Sequence, residues 1–231
     1  MNITADRSVS RTLLWPGVIL AVDLLLLIAF LRWAYVEHLH ITHSFFYGKL
    51  RFSSVDGSLM ERWGYVKEAG IVGLAAYAYA RTKEFFYAAY AVLFLGVLSD
   101  DALRIHEYIG QWLSDPALLG RWGNLPSALM VSGVPLALSL YGFYKLPHDR
   151  KFPALMLLAG FCVMAFFAVV VDNLHSLLIG AEHFQTASSF IEDGGELLSL
   201  TLITTVWRIF MPVIVPAYQS LNSAPHPVVE Q

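Results

Sequence analysis

FFYAAYAVLFLGVLSDDALRIHEYIGQWL, residues 85–113, decides the reading of this chain. From Phe85 to Leu98 it is apolar and uncharged. It then passes, without a proline, into a polar stretch carrying Asp100, Asp101, Arg104, His106 and Glu107. An apolar run of this kind approaches the length of a membrane-spanning helix. Ionisable groups are costly at membrane depth, so acids and a histidine at its end are read as functional and facing the protein interior.

Working outward, five more apolar runs flank it, and the fold class expected is an all-α, polytopic transmembrane bundle. The six spans fall at about 13–36, 65–80, 85–106, 128–144, 154–178 and 188–213. They form a single transmembrane domain over 1–218, followed by a disordered tail at 219–231. Composition agrees: of 231 residues 57% are hydrophobic, and the mean hydropathy is +0.57. The net charge of −3 is spread along the chain, which argues against a nucleic-acid partner. Cys162 is the only cysteine and lies in an apolar run, which excludes a disulfide framework and a thiolate metal site. The first apolar run contains Asp23 and has no small-residue cleavage site, so it is expected to remain as a span rather than act as a signal peptide. A hydrogen bond from Asp23 to another span is the expected role of that residue.

Lys and Arg in the short connections set the orientation. Arg7, Arg11, Arg81, Lys83, Lys145, Arg150, Lys151 and Arg208 gather on the side of the two termini. The other side has Lys49, Arg51, Arg62, Lys67, Arg104 and Arg121. The bias favours N-in and C-in, which in a bacterial inner membrane makes the opposite side periplasmic. In the longest connection, Asp56–Gly57 is a turn signal and Ser58-x-x-Glu61 fits a capping box, predicting a short interfacial helix from Leu59.

Four clusters of acids and histidines then fall on that outer side, at similar depth. They are Glu37–His38–His40–His43, Asp100–Asp101–His106–Glu107, Asp172–His175 and Glu192–Asp193–Glu196, with Glu68 as a further contributor. Helical spacing puts Glu37 with His40, Asp172 with His175, and Glu192 with Glu196 on shared faces. Asp100, Arg104 and Glu107 form one stripe. Each cluster alone has a plainer explanation: an interfacial flank, an intrahelical ion pair, a hydrogen-bonded pair, or acids favoured by a helix N-terminus. Together they would bring eight carboxylates to one region. That concentration has to be relieved by protonation, solvent or bound cations. Gly194 and Gly195, inside the last cluster, allow close helix approach.

Carboxylate-x-x-His on two helices plus carboxylates on two others resembles the ligand inventory of di-iron and di-manganese carboxylate bundles. The second pair differs from that pattern in being Asp-x-x-His. The strings LSDDALRIHE and IEDGGELL also resemble motifs in uncharacterised multi-pass bacterial membrane proteins, a likeness that implies no particular activity.

The function expected is that of an integral membrane metalloprotein with a mono- or dinuclear site. Its ligands are drawn from Glu37, His40, Asp101, His106, Glu107, Asp172, His175, Glu192 and Glu196. Arg104 and Glu107 are the expected catalytic groups. Oxygen and imidazole donors suit a divalent metal, iron foremost, with manganese or zinc as alternatives. The partners expected are the lipid bilayer and a lipid-like or quinone-like substrate that is oxidised. Two other readings remain open: a ceramidase-like zinc hydrolase of lipid amides or esters, and a proton or divalent-cation transporter.

Overall fold

The computed structural model describes residues 3–55, 57–113, 124–171 and 182–215. It is all-α, with seven helices among those residues. These are α1 (Ile3–His38), α2 (Leu59–Thr82), α3 (Phe85–Leu103), α4 (Ile105–Leu113), α5 (Asn124–Lys145), α6 (His148–Ala165) and α7 (Glu182–Ile214). A short 3₁₀ turn, Leu50–Phe52, lies in the α1–α2 connection, and α6 runs on into a π-helical turn, Phe166–Val171. Four segments are long and apolar enough to cross a membrane: Leu14–His38, Phe85–Leu103, His148–Val171 and Thr186–Ile214. Helices α2 and α5 are the other two long ones. α2 is less apolar because it carries Glu61, Arg62, Lys67, Glu68 and Arg81.

The core lies between α2, α3, α6 and α7. Phe86, Tyr87, Tyr90, Phe94 and Trp207 are fully buried there, with Ile71, Leu157 and Ile203 between them. The Tyr90 hydroxyl donates to the Leu157 carbonyl at 2.9 Å, satisfying the one polar atom this ring brings into the core. Helix α1 packs on the side of α7 through Leu27, Phe30 and Leu197. Its opposite face exposes Leu14, Trp15, Leu24, Leu25, Ile28 and Leu31, as expected of a surface solvated by hydrocarbon.

Small residues set how closely the helices approach. A Cβ on Gly142 of α5 would stand 2.7 Å from the Phe86 Cα of α3, so backbone meets backbone there. A Cβ on Gly160 of α6 would stand 2.6 Å from the Ile203 side chain of α7. Gly194 and Gly195 sit within a continuous α7. A Cβ on the first would be 3.0 Å from Leu27 of α1, and one on the second 2.2 Å from the Phe167 ring. The close approach expected at this pair is therefore made, with side chains of α1 and the π turn filling the space.

Several expectations change in detail. The helix expected over 85–106 breaks at Arg104, whose φ of 54° is left-handed. Its N–H closes α3 onto the Asp100 carbonyl, and α4 departs to pack mainly on α5. The stripe Asp100–Arg104–Glu107 is thereby interrupted, because the residues no longer share one helix. The separate interfacial helix expected from Leu59 is the first turn of α2. Its cap forms as expected at Ser58, whose Oγ accepts from Glu61 N–H at 3.2 Å. The reciprocal bond runs from Gly57 N–H to the Glu61 carboxylate, one residue before the usual donor. The tail at 219–231 and the last seven residues of the fifth span, 172–178, lie outside the described residues.

Gly142→Ala should lower stability by about 1–3 kcal/mol, the usual cost of overpacking a site that cannot relax. Gly133→Ala on the same helix has nothing within 4 Å of its new Cβ and should be neutral or stabilising. Thermal unfolding in detergent micelles measures both.

Candidate functional site

One end of the bundle encloses a cavity of about 660 Å³. The start of α2, the end of α3, and α4, α5, α6 and α7 all contribute to its wall. The acids are concentrated on three of them. Glu61 and Glu68 come from α2, Asp100 and Asp101 from α3, and Glu192, Asp193 and Glu196 from α7. Arg104 joins them from the α3–α4 break. The opposite wall is apolar or small, with Val97, Leu129, Ser132, Gly133, Leu136, Phe161, Met164 and Ala168.

Glu68 is the most enclosed of these acids, with only 3% of its surface exposed. Its carboxyl is hydrogen-bonded to that of Asp101, and Glu196 lies close enough to act on it electrostatically. Its Oε2 has no hydrogen-bond partner among the described residues. Two carboxyl groups in hydrogen-bond contact cannot both be bare anions, so a proton or a cation has to be shared between them. Beside them the Tyr65 hydroxyl donates to the Glu61 carboxylate and lies 3.0 Å from the Asp101 carbonyl, tying the capped start of α2 to the end of α3.

Next to Glu68 along α2 begins a second polar group, whose Lys67, Asp23 and Thr201 are buried and do not line the cavity. Lys67 Nζ donates to Asp23 Oδ1 at 3.0 Å, to the Leu197 carbonyl at 2.5 Å and to Thr201 Oγ1 at 3.2 Å. Trp63 Nε1 donates to the same Asp23 oxygen at 2.7 Å, and the Thr201 hydroxyl donates to Asp23 Oδ2. The ammonium thus has three acceptors and the carboxylate three donors, with Lys67 4% and Asp23 0% exposed. Asp23 hydrogen-bonds to other spans as expected. Lys67 was expected at a membrane edge and is instead an interior residue joining α1, α2 and α7.

The residues expected to form the site divide into three groups. Asp101, Glu192 and Glu196 line one cavity, as do Asp100, Asp193, Arg104 and the additional contributor Glu68. Glu37 and His40 do not line it. α1 stops at His38, and His40 has a left-handed φ of 50°, so the two no longer share a helical face. The Glu37 carboxylate instead accepts from Gly48 N–H and fastens the α1–α2 connection. Asp172 and His175 lie outside the described residues, as do the side chains of His106 and Glu107 on α4. Among the described residues, no three His, Cys, Asp or Glu side chains are grouped closely enough to hold one metal ion. The described acid wall is therefore at most part of a coordination sphere.

Sequence reasoning passed over Glu61 as a member of the site and Lys67 as a buried partner. The available signal was helical spacing: Glu61 and Glu68 are two turns apart on α2, and Lys67 is an ionisable group inside an otherwise small-residue span.

Residues 18–210 match the family described as a domain of unknown function, DUF8692, and the chain belongs to that family. No curated protein and no solved structure matches it.

The buried pair gives a direct test of this architecture. Asp23→Ala strands the Lys67 ammonium and should cost about 3–5 kcal/mol, while the double replacement Asp23→Leu with Lys67→Met should recover most of that loss. A double-mutant cycle on unfolding in micelles measures the coupling.

Proposed function

We propose that this family member is a multi-pass membrane protein that holds a divalent metal cation in its acidic cavity and uses it on a lipid-like or quinone-like molecule. The observation that carries the reading is Glu68: an almost fully buried carboxylate on the cavity wall, bonded to a second carboxyl, with one oxygen still unpartnered. A buried charge of this kind is stable only when it is neutralised, and Glu68 and Asp101 are the residues that would hold a neutralising cation. Glu196 from α7 lies close enough to act on this pair electrostatically and adds to the negative charge a cation would neutralise. His106 and Glu107, next along the chain after Arg104, and Asp172 with His175, next after the π turn, complete the sphere. Glu192 and Asp100 act as acceptors around it, and Arg104 restrains a carboxylate.

Such a donor set is rich in hard oxygen with a few imidazoles. That suits iron(II) or manganese, with zinc as the alternative metal. With iron the metal would supply dioxygen-dependent oxidation, molecular oxygen taking the substrate's electrons, and Arg104 and Glu107 would act on the substrate. With zinc the chemistry is hydrolysis by a metal-activated water. All six long helices cross the bilayer, with α2 and α5 shielding their polar residues inside the bundle. Both termini lie on the cytoplasmic side. The cavity is then at the outer leaflet, facing the periplasm of a bacterial inner membrane, in line with the Lys and Arg bias of the connections.

A second reading, transport of protons or divalent cations, is favoured by the position of Lys67. It directly follows the cavity wall in depth and extends the polar groups inward to Asp23 and Thr201.

Elemental analysis of the purified protein separates these readings. About one or two iron or manganese ions per chain are expected, as in carboxylate bundles, and the content should fall sharply in Glu68→Gln and in Asp101→Asn. Removing the metal with a chelator should cost about 3 kcal/mol of stability if the protein is held at roughly a hundred times its dissociation constant. One zinc per chain would favour the hydrolase. No metal above background, with unfolding unaffected by chelator, would overturn both enzyme readings, and cation flux in proteoliposomes would then decide for transport.

A further inference from the structure

The cavity has two chemically different walls, and its apolar wall is split between two helices that hardly touch. Only Leu146 and Pro147 connect α5 to α6. Even so, α5 packs on α3 and α4, α6 packs on α7, and contact between α5 and α6 is slight. Both nevertheless line the cavity: Ser132, Gly133 and Leu136 from α5, Met164, Ala165 and Ala168 from α6 and its π turn. Among the described residues the two helices are therefore joined at the end away from the acids and separated beside them.

Three further features describe what this gap faces. Its flanks are exposed and apolar, with Leu129, Met130 and Val134 on α5 and Val163, Phe166 and Val170 on α6 and the π turn. In a membrane-spanning bundle such a rim is wetted by acyl chains, not water. A Cβ on Gly133 would meet nothing within 4 Å, so α5 is not packed against another element at the point where it lines the cavity. The π turn covers Ala168 and Val169, and the extra residue of a π turn shifts side chains out of the α-helical register, a feature common at functional sites.

We infer that the α5–α6 gap is a lateral portal from the hydrocarbon into the cavity, and that the molecule it admits is a single-chain amphiphile with a hydrogen-bond-donating head. This rests on the reading of the cavity as the functional site, but not on which metal it holds. The chain lies between Ser132–Gly133–Leu136 and Met164–Ala165–Ala168. The head reaches the carboxylates, where the open Oε2 of Glu68 needs a donor or a cation. Charge sets the preference among heads at the metal-free acid wall: an alcohol or amine is accepted, and a carboxylate of the same chain length is repelled by the acids. Size sets the preference among lipids. The cavity volume is that of an ordinary small-molecule site, well short of what two acyl chains with a phosphate headgroup fill.

A photoactivatable long-chain alcohol, added to the full-length protein in bilayer nanodiscs, tests this. Labelling is expected on the α5 and α6 peptides around Gly133 and Ala168. A long-chain alcohol without the photoactivatable group should compete and a short-chain one should not. After chelator treatment, the long-chain carboxylate probe should label these positions about tenfold less than the alcohol. Gly133→Phe, which places a ring in open space, should suppress labelling there, and Gly133→Ala should not. Labelling spread evenly over lipid-facing helices, including α1, would overturn the portal, as would equal labelling by the carboxylate after chelation. Both readouts come from the wild-type chain and stand even if the phenylalanine variant fails to fold. Metal content measured in the same preparation before chelation separates the two proposals. Bound metal without portal labelling overturns only the portal, and portal labelling without metal overturns only the metal site.

Discussion

Lys67 holds together the part of the bundle on which the acidic cavity is built. Its ammonium reaches Asp23 on α1 and both the Leu197 carbonyl and Thr201 on α7, so three helices meet at one cation. Burying an isolated ammonium costs many kcal/mol, and here every proton has an acceptor. A pair satisfied this fully gains little over an apolar core in stability, but it tolerates few alternative arrangements. It fixes the axial register of α2 against α7. Register is what places Glu68, one residue further along α2, opposite Glu196 on α7, one residue before Leu197.

The rest of the cavity follows from helix direction and from clearance. The connections at Lys83–Glu84 and Leu146–Pro147 are short, so α2 with α3 and α5 with α6 reverse at one end of the bundle. The opposite end is left with longer segments and an open interior. At the closed end Arg150 of α6 pairs with Glu84, whose carboxyl is raised by burial against the opposing pull of that guanidinium. Gly142 and Gly160 bring α5 onto α3 and α6 onto α7. Those two close approaches draw α5 and α6 to different partners and leave the gap between them.

Much of the site was legible in the residues. Asp100, Asp101, Glu192, Asp193 and Glu196 are acids at the ends of apolar runs, and the energetic cost of that position was sufficient reason to place them together. Ser58 and Glu61 declared the start of α2 through a local hydrogen-bond pattern that needs no tertiary context. The less legible parts depended on where helices stop. Glu37 and His40 share a face only if α1 continues past His38, and Asp100 and Glu107 only if α3 continues past Arg104. In both places a left-handed residue ends the helix. Neither His40 nor Arg104 announces that conformation: it is uncommon outside glycine, even though histidine adopts it more often than most, and packing settles it.

The sequence by itself determined that this is a helical membrane protein with acids concentrated toward one side, because hydrocarbon permits few backbone structures and penalises every charge. It also determined the order and approximate extent of the long helices. Only the tertiary structure decided which acids share a wall, that Lys67 turns inward to Asp23, and that α5 and α6 stand apart beside the carboxylates. Those outcomes depend on helix rotation and clearance, which are fixed by contacts between residues far apart in the chain, such as Gly142 with Phe86 and Lys67 with Thr201. No local pattern encodes such contacts, since each half is read correctly only in the presence of the other.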